Sequence, residues 1–174
     1  MNDLEEEFNY CTRCAGALVT KRVKDGEPER LVCPNCGGIH YLDPKLAACA
    51  IIEINGGVVL VKRSINPGRG LWVIPGGFVD RGEPVPEAMV REVAEETGLK
   101  VEPIELFGLY SYPGETVAVA VYLARVLSGD LIAGDESSAA GLFGPDEIPW
   151  EELAFRSTQD SLTEYCRRRE NVGT

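Results

Sequence analysis

Three glutamates, Glu92, Glu95 and Glu96, have the spacing that would place them on one face of a helix. Like charges at these spacings destabilise a helix by about 0.2–0.5 kcal/mol per pair, and acidic residues in a last turn oppose the helix dipole. A local pattern that works against stability often marks function. Carboxylate oxygens suit Mg²⁺ or Mn²⁺, which also bind phosphate groups. The three residues alone leave a second interpretation open, a solvated acidic face.

Two Cys-x-x-Cys pairs form a second group: Cys11 with Cys14, and Cys33 with Cys36. Two such pairs at this separation are typical of a tetrahedral zinc site, and four thiolates fill it, which predicts a structural metal ion. Disulfides and a redox pair are the alternatives, disfavoured by an intracellular chain and by a doubled motif without a βαβ pattern. His40, the single histidine, is expected to be a surface or packing residue rather than a ligand.

The elements that position the cysteines can be predicted from the residues between the two pairs. Residues 18–23 and 29–32 have the composition of strands, and Asp25-Gly26 between them is a turn signal. We therefore expect residues 1–43 to form a small zinc ribbon. It would depend on its metal for folding, because it has almost no apolar core.

Residues 44–174 are expected to form a second domain, a mixed sheet with helices. A helix over 84–97 would carry the three glutamates, since Pro84 suits a first turn and Gly98 follows the last. A second helix is expected after Ser157, which would cap it. Apolar and β-branched runs predict strands over 46–54, 58–61, 71–74, 104–112 and 116–126.

The composition excludes some classes of function. A formal net charge of −11 and a pI of about 4.6 argue against a nucleic-acid or membrane partner, since both favour basic surfaces. No apolar run is long enough to span a bilayer, and the acidic residues 1–7 lack the apolar segment of a secretory signal. We therefore expect a cytoplasmic protein.

The spacing around the glutamates is more specific than the glutamates themselves. Gly77 is followed after five residues by Glu83, and after seven more by the run 91–99, Arg-Glu-Val-Ala-Glu-Glu-Thr-Gly-Leu. This segment resembles the Nudix box at every specified position. The resemblance implies an α+β fold, an α/β/α sandwich with a mixed sheet, and hydrolysis of a nucleoside diphosphate linked to another group.

The resemblance also implies roles for individual residues. Glu92, Glu95 and Glu96 would bind divalent cations, Mg²⁺ or Mn²⁺, together with a backbone carbonyl near Gly77. A carboxylate not fully engaged by metal would act as the base, either Glu92 or an acid from a later loop. An internal ion pair would brace the loop against the helix; its members are Glu83 and Arg91.

Similarity continues outside the box, over 10–169. The segments 33–45, 66–78 and 148–155 resemble those of a zinc-ribbon Nudix subgroup that includes FAD and ADP-ribose pyrophosphatases. The implied reaction gives AMP plus FMN or ribose 5-phosphate. The alternative is a non-catalytic module that senses or binds nucleotides on the same scaffold. Members of the family often dimerise, so the resemblance also favours a homodimer.

Two departures from the subgroup bear on the substrate and the base. The chain lacks the Ser-Gln-Pro-Trp-Pro-Phe-Pro array of zinc-ribbon NADH pyrophosphatases, so NADH is not the favoured substrate. In the later loop, Glu136 is present but Ala139 replaces the second acid of Glu-Ser-x-Glu, which makes Glu136 a candidate base. Arg63 and Arg69 are candidate phosphate contacts. Candidates for stacking on a base or flavin ring are Tyr41, Phe78, Tyr110 and Tyr112.

Overall fold

The computed structural model describes residues 8–172, and its contacts divide the chain into two compact units, with the boundary between Asp43 and Pro44. The acidic residues 1–7, on which the expectation of cytoplasmic localisation rests in part, lie outside the described residues. So do residues 173–174 of the expected second domain. Within the described part, no helix is long and apolar enough to cross a membrane.

The first unit is a three-stranded antiparallel sheet in the order β1-β2-β3. Its strands are β1 (Val19–Arg22), β2 (Glu29–Val32) and β3 (Ile39–His40). The predicted hairpin is confirmed: Val19 lies opposite Val32 and Arg22 opposite Glu29. Gly26 has a φ of 82°, which glycine adopts without strain in the turn between β1 and β2.

The second unit contains a seven-stranded mixed sheet, as predicted. Strand β4 runs parallel to β9, and the other pairs are antiparallel. The main order is β10-β5-β4-β9-β8, with β6 paired to β5 and β7 paired to β4. The strands are β4 (Lys45–Ile54), β5 (Gly57–Arg63), β6 (Trp72–Val73), β7 (Gly76–Phe78), β8 (Lys100–Tyr110), β9 (Val117–Ser128) and β10 (Ser137–Phe143).

The sheet lies between two helices, α1 (Val85–Thr97) and α2 (Arg156–Val172). Alternate residues of β4 point to opposite faces of the sheet. Ile52 belongs to the core cluster that contains Met89 of α1, whereas Ile51 belongs to the cluster that contains Leu162 of α2. All four side chains are essentially inaccessible to solvent. This arrangement confirms the predicted α/β/α sandwich.

Three local features differ from the sequence-based expectations. Helix α2 begins at Arg156, so Ser157 lies inside its first turn and is not its cap. Strand β8 begins at Lys100 rather than at residue 104; Pro103 is accommodated because β8 is an edge strand with a register shift there. Strands β3, β7 and β10 were not predicted, and β10 pairs with the other side of β5.

Candidate active site and zinc centre

A cavity of about 790 Å³ lies between β7 and the glutamate-bearing face of α1. Its lining combines acidic side chains from the helix and from a later loop with glycine backbone from β7. The predicted site residues that line it are Arg63, Gly77, Phe78, Arg91, Glu92, Glu95, Glu96 and Glu136. We call this cavity the acidic pocket. The arrangement places several negative charges where one ligand could meet them all.

Glu96 is the most buried carboxylate of the acidic pocket. The Gly76 N–H donates a hydrogen bond to its Oε2 atom at 2.9 Å. Burial raises the pKa of Glu96 to about 7, and the charges of Glu92 and Glu136 act in the same direction. Burial also raises the pKa of Glu92. Burial and mutual repulsion make it costly for these neighbouring carboxylates to be ionised at the same time. A bound cation would offset that cost, so the arrangement fits a cation site.

Arg91 of α1 forms hydrogen bonds with several parts of the segment that resembles the Nudix box. Its Nε donates to Glu83 Oε1 at 2.9 Å, and its Nη2 donates to Glu83 Oε2 at 3.0 Å. Its Nη1 donates to Glu92 Oε1 at 2.8 Å, and Nη2 also reaches the Phe78 carbonyl at 3.1 Å. The guanidinium holds the pKa of Glu83 below its ordinary value. One side chain thus fixes β7, the loop after it and a pocket carboxylate.

We expect Arg91→Lys to lower the free energy of unfolding by about 1–2 kcal/mol, because an ammonium cannot reproduce the two-pronged contact with Glu83. Urea denaturation monitored by circular dichroism measures this change. Arg125→Lys is the matched control: Arg125 pairs with Glu102 on the exposed surface, where such pairs contribute about 0–1 kcal/mol. An equal loss in both variants would contradict the bracing role of Arg91.

The β7 backbone leaves no free space for a Cβ at two positions, one facing helix α1 and the other facing strand β4. A Cβ on Gly77 would lie 2.3 Å from Glu92 Oε2. Gly76 has a φ of 149°, and a Cβ there would lie 2.4 Å from the Ala48 carbonyl oxygen. The close approach keeps the Glu92 carboxylate against the β7 main chain.

The loop that precedes β10 brings further acids to the acidic pocket. The Ile132 N–H donates to the Thr97 carbonyl, and the Gly134 N–H donates to the Glu96 carbonyl, both at 2.9 Å. These bonds satisfy carbonyls that a helix end leaves unpaired. Asp135 and Glu136 therefore line the pocket beside the helix glutamates. Asp135 was not predicted, although its position next to Glu136 is a signal that could have identified it.

Only some of the predicted substrate contacts lie in the acidic pocket. Arg63 lines the acidic pocket, donates from Nε to the Pro67 carbonyl at 2.7 Å and lies over the Phe155 ring. Arg69, Tyr110 and Tyr112 do not line it. The Tyr112 hydroxyl donates instead to Asp160 Oδ2 at 2.7 Å, and Tyr110 packs against the core cluster that contains α2. Ala139 is also absent from the pocket lining.

The four predicted cysteines converge in the first unit. Their sulfur atoms all lie within 4.8 Å of one another, and Cys14 Sγ lies 3.4 Å from Cys33 Sγ. A tetrahedron with Zn–S bonds of about 2.3 Å has sulfur atoms about 3.8 Å apart, whereas a disulfide would require about 2.05 Å. His40 Nε2 lies 3.4 Å from Cys11 Sγ, so the histidine contacts this cluster from outside. The geometry fits a structural zinc ion.

The glutamates are less tightly grouped than the cysteines. In the described part of the chain, the cysteine cluster is the only group of three or more histidine, cysteine, aspartate or glutamate residues whose ligand atoms lie within 4.8 Å of one another. The Glu95 side chain is 59% exposed and lies 3.3 Å from Arg91. A cation in the acidic pocket would therefore draw its carboxylates closer together.

Two family models match the chain. One described as "NUDIX domain" matches residues 43–166, and one described as "Nudix N-terminal", a zinc ribbon, matches residues 9–42. A crystal structure of a NUDIX hydrolase from Nitrosomonas europaea is 36% identical with a TM-score of 0.87, covering 94% of this chain and 93% of that one. The likeness therefore extends over both units.

Curated relatives carry two kinds of name. An ADP-ribose pyrophosphatase from Methanocaldococcus jannaschii is 42% identical over 132 residues, which are 73% of this chain and 76% of the relative. An NAD-capped RNA hydrolase from Pseudomonas aeruginosa is 32% identical over 143 residues, 80% of this chain but 49% of the relative. The chain thus spans about half the length of relatives of the second kind. By its domain matches and its relatives, the chain belongs to the Nudix family of hydrolases.

Proposed function

We propose that this protein hydrolyses the pyrophosphate bond of a nucleoside diphosphate derivative, ADP-ribose or FAD, giving AMP plus ribose 5-phosphate or FMN. One observation carries the proposal: carboxylates from α1 and from the loop before β10 meet in one pocket beside the β7 backbone. The ADP-ribose pyrophosphatase relative supports ADP-ribose as the first substrate to test. The intact run of glutamates disfavours a module that only senses nucleotides.

Divalent cations, Mg²⁺ or Mn²⁺, would be held by Glu92, Glu95 and Glu96, with a backbone carbonyl near Gly77. The raised pKa values of Glu92 and Glu96 support this role, because a cation would offset the mutual repulsion of their charges. When bound, such ions neutralise pyrophosphate charge and help a water molecule to ionise.

The protein's own residues contribute position and proton transfer. Glu92 or Glu136 would accept the proton of the attacking water, since both line the acidic pocket. Arg91 holds Glu92 in place through its Nη1 atom. Arg63, which also lines the acidic pocket, would contact a phosphate oxygen. The contacts predicted for Arg69, Tyr110 and Tyr112 stay predictions.

The four cysteines would hold a structural Zn²⁺ ion. The sulfur atoms fill a tetrahedral site and leave no position for a substrate, so this ion takes no part in hydrolysis. The zinc ion would crosslink the two Cys-x-x-Cys turns.

A substrate panel tests the proposed function. ADP-ribose, FAD, NADH, nucleoside triphosphates and dinucleoside polyphosphates are incubated with Mg²⁺ or Mn²⁺, and products are identified by chromatography. We expect AMP from ADP-ribose or FAD, and no turnover after removal of divalent cations. An NAD-capped RNA in the same panel tests the expectation that the acidic protein has no nucleic-acid substrate. Absence of turnover throughout the panel would overturn the proposed function.

Gly77→Ala should raise the Mg²⁺ concentration required for half-maximal hydrolysis by about tenfold or more while the protein stays folded. The new methyl group would displace the Glu92 carboxylate, the flexible end of a side chain, rather than main chain. Mg²⁺ titration of the initial rate measures the effect. Gly144→Ala is the control, since its Cβ would lie 3.1 Å from the Glu147 carboxylate, outside the acidic pocket. Equal Mg²⁺ requirements in both variants would contradict the proposed role of the Gly77 segment.

A further inference from the structure

The sheet of the first unit has one face toward the cysteine cluster and one face that is open to solvent. On the first face Leu31, which is buried, lies opposite His40, which contacts Cys11 Sγ. Because side chains alternate along a strand, the residues on either side of these two point the other way. They are Val19, Lys21, Arg30, Val32 and Ile39, with Tyr41 directly after β3. We call these six residues the ribbon face.

The ribbon face exposes apolar side chains. Val19 lies opposite Val32, and Val32 lies opposite Ile39, so the three form one aliphatic row across the sheet. Val19 is 46% exposed and Ile39 is 37% exposed. The ring of Tyr41, two residues after Ile39, is 62% exposed. Adjacent exposed apolar groups of this kind are typical of a surface that binds another macromolecule.

The charged groups of the ribbon face are both basic. Lys21 lies directly opposite Arg30, and like charges in this position destabilise a hairpin. Neither side chain forms an ion pair with a described residue. Arg30 Nε is buried without a hydrogen-bond acceptor among the described residues, and the guanidinium lies over the Tyr41 ring, 5.2 Å from its centre. The ribbon face therefore fits a partner that is both apolar and acidic.

Strand β8 of the second unit has that composition. It forms one edge of the sheet, and its residues Ile104, Leu106 and Leu109 are 63%, 54% and 65% exposed. Glu105 is exposed between the first two and forms no ion pair with a described residue. Three register shifts and Pro103 make the main chain of β8 irregular, which disfavours pairing with a further strand. This edge therefore offers side chains, rather than main chain, to a partner.

We propose that the protein forms a twofold dimer in which the ribbon face of each copy binds the exposed side chains of β8 in the other copy. The aliphatic row would cover apolar side chains of β8. Lys21 and Arg30 would receive Glu105 of the other copy as their acidic partner. A twofold axis repeats the contact, so both ribbon faces and both edge strands are covered at once. The dimer would also protect an apolar sheet edge, which otherwise favours aggregation.

Other occupants fit the ribbon face less well. Two ribbon faces placed against each other would bring their unpaired cations together. A single-stranded nucleic acid would use the cations and the Tyr41 ring, but the aliphatic row offers it no hydrogen bond and no stacking surface. The net charge of −11 also repels it. A partner with both apolar and acidic side chains matches every exposed group of the face.

Sedimentation equilibrium of the full-length, zinc-loaded protein tests the arrangement. Wild-type protein should have twice the chain mass of 18.9 kDa. Glu105→Lys should raise the dissociation constant of the dimer at least about tenfold, because it places a further cation against Lys21 and Arg30 at both contacts. Glu151→Lys is the matched control, since Glu151 is exposed, lies outside both surfaces and gives the same change in net charge. It should dimerise as wild type does.

Adding Lys21→Glu to Glu105→Lys gives the sharper test. Each substitution alone should weaken the dimer, yet the double variant should have a dissociation constant at least about threefold lower than Glu105→Lys, because opposite charges again face each other. Substitutions that act independently would weaken the dimer further. Circular dichroism checks that every variant stays folded.

The inference is overturned if wild-type protein is monomeric, if Glu105→Lys dimerises like Glu151→Lys, or if the double variant dissociates most readily. A monomeric wild type that binds a labelled single-stranded oligonucleotide, and loses it in Lys21→Glu, would assign the ribbon face to a nucleic acid instead.

Discussion

Glu96→Gln should abolish cation-dependent hydrolysis and leave the protein at least as stable as before. The substitution removes a carboxylate that would bind the cation, and cation stabilisation of the reacting phosphates contributes several kcal/mol, on the order of 10³-fold in rate. The glutamine side-chain oxygen can still accept the hydrogen bond that the Gly76 N–H donates to Glu96. Local geometry should therefore persist. Initial rates with saturating Mg²⁺ measure the loss.

The effect on stability follows from the raised pKa of Glu96. Because its pKa of about 7 in the folded protein exceeds the ordinary glutamate value of 4.5, the carboxyl opposes folding increasingly as the pH rises from about 4.5 to 7. At pH 8, without divalent cations, Glu96→Gln should thus be more stable than wild type, by about 1–3 kcal/mol. Thermal unfolding from pH 5 to pH 8 measures this difference, which should shrink as the pH falls.

Glu87→Gln provides the control for both measurements, because Glu87 lies exposed in the first turn of α1 and does not line the acidic pocket. It should hydrolyse substrate at the wild-type rate. Wild-type turnover by Glu96→Gln would refute the role given to Glu96. Loss of its folded structure would refute the account of its burial.

Removal of zinc should unfold the first unit and leave the second folded. Among the described hydrophobic residues before Pro44, only Cys11, Leu31 and Cys33 are buried, so two of the three are proposed zinc ligands. So small a core cannot offset the loss of conformational entropy. Zinc binding in comparable small units contributes apparent free energies of about 10–16 kcal/mol.

Hydrogen exchange after chelation, with Mg²⁺ restored in excess, tests this prediction. The Cys33 and Gly37 amides, which donate to Gly38 and Cys33 carbonyls, should lose protection, whereas the buried residues of β5 should keep it. Cys33→Ser should behave like the chelated protein. Cys166→Ser, in α2, should retain both zinc and protection. Protected Cys33 and Gly37 amides after complete zinc removal would contradict the dependence on metal.

The sequence could predict the structural elements that are determined by residues close to one another along the chain. Helix α1 was predicted nearly to the residue because Pro84 and Gly98 act locally at its ends, and the zinc hairpin because its turn carries Asp25-Gly26. Strand β10 was missed because 137–141 is a run of serine, alanine and glycine; its pairing with β5, far away in sequence, makes it a strand.

The same distinction applies to the site. The spacing of the box is local, so the glutamates could be identified as a group. The surroundings of a side chain are not local: Tyr112 is bonded to Asp160, 48 residues later. Ser157 has the sequence context of a helix cap, yet it lines a cavity. Which aromatic and hydroxyl side chains line a cavity therefore depends on tertiary packing.

The loop 130–136 behaves as a continuation of α1 rather than as a hinge. Its Ile132 and Gly134 amides are bonded to the last turn of the helix, and at its other end Ser137 is paired with Arg63 of β5. A Cβ on Gly134 would lie 1.9 Å from the Glu95 carbonyl oxygen. Surface loops usually accept insertions. This one is attached at both ends and closely packed, so an inserted residue would shift Asp135 and Glu136 relative to the helix glutamates.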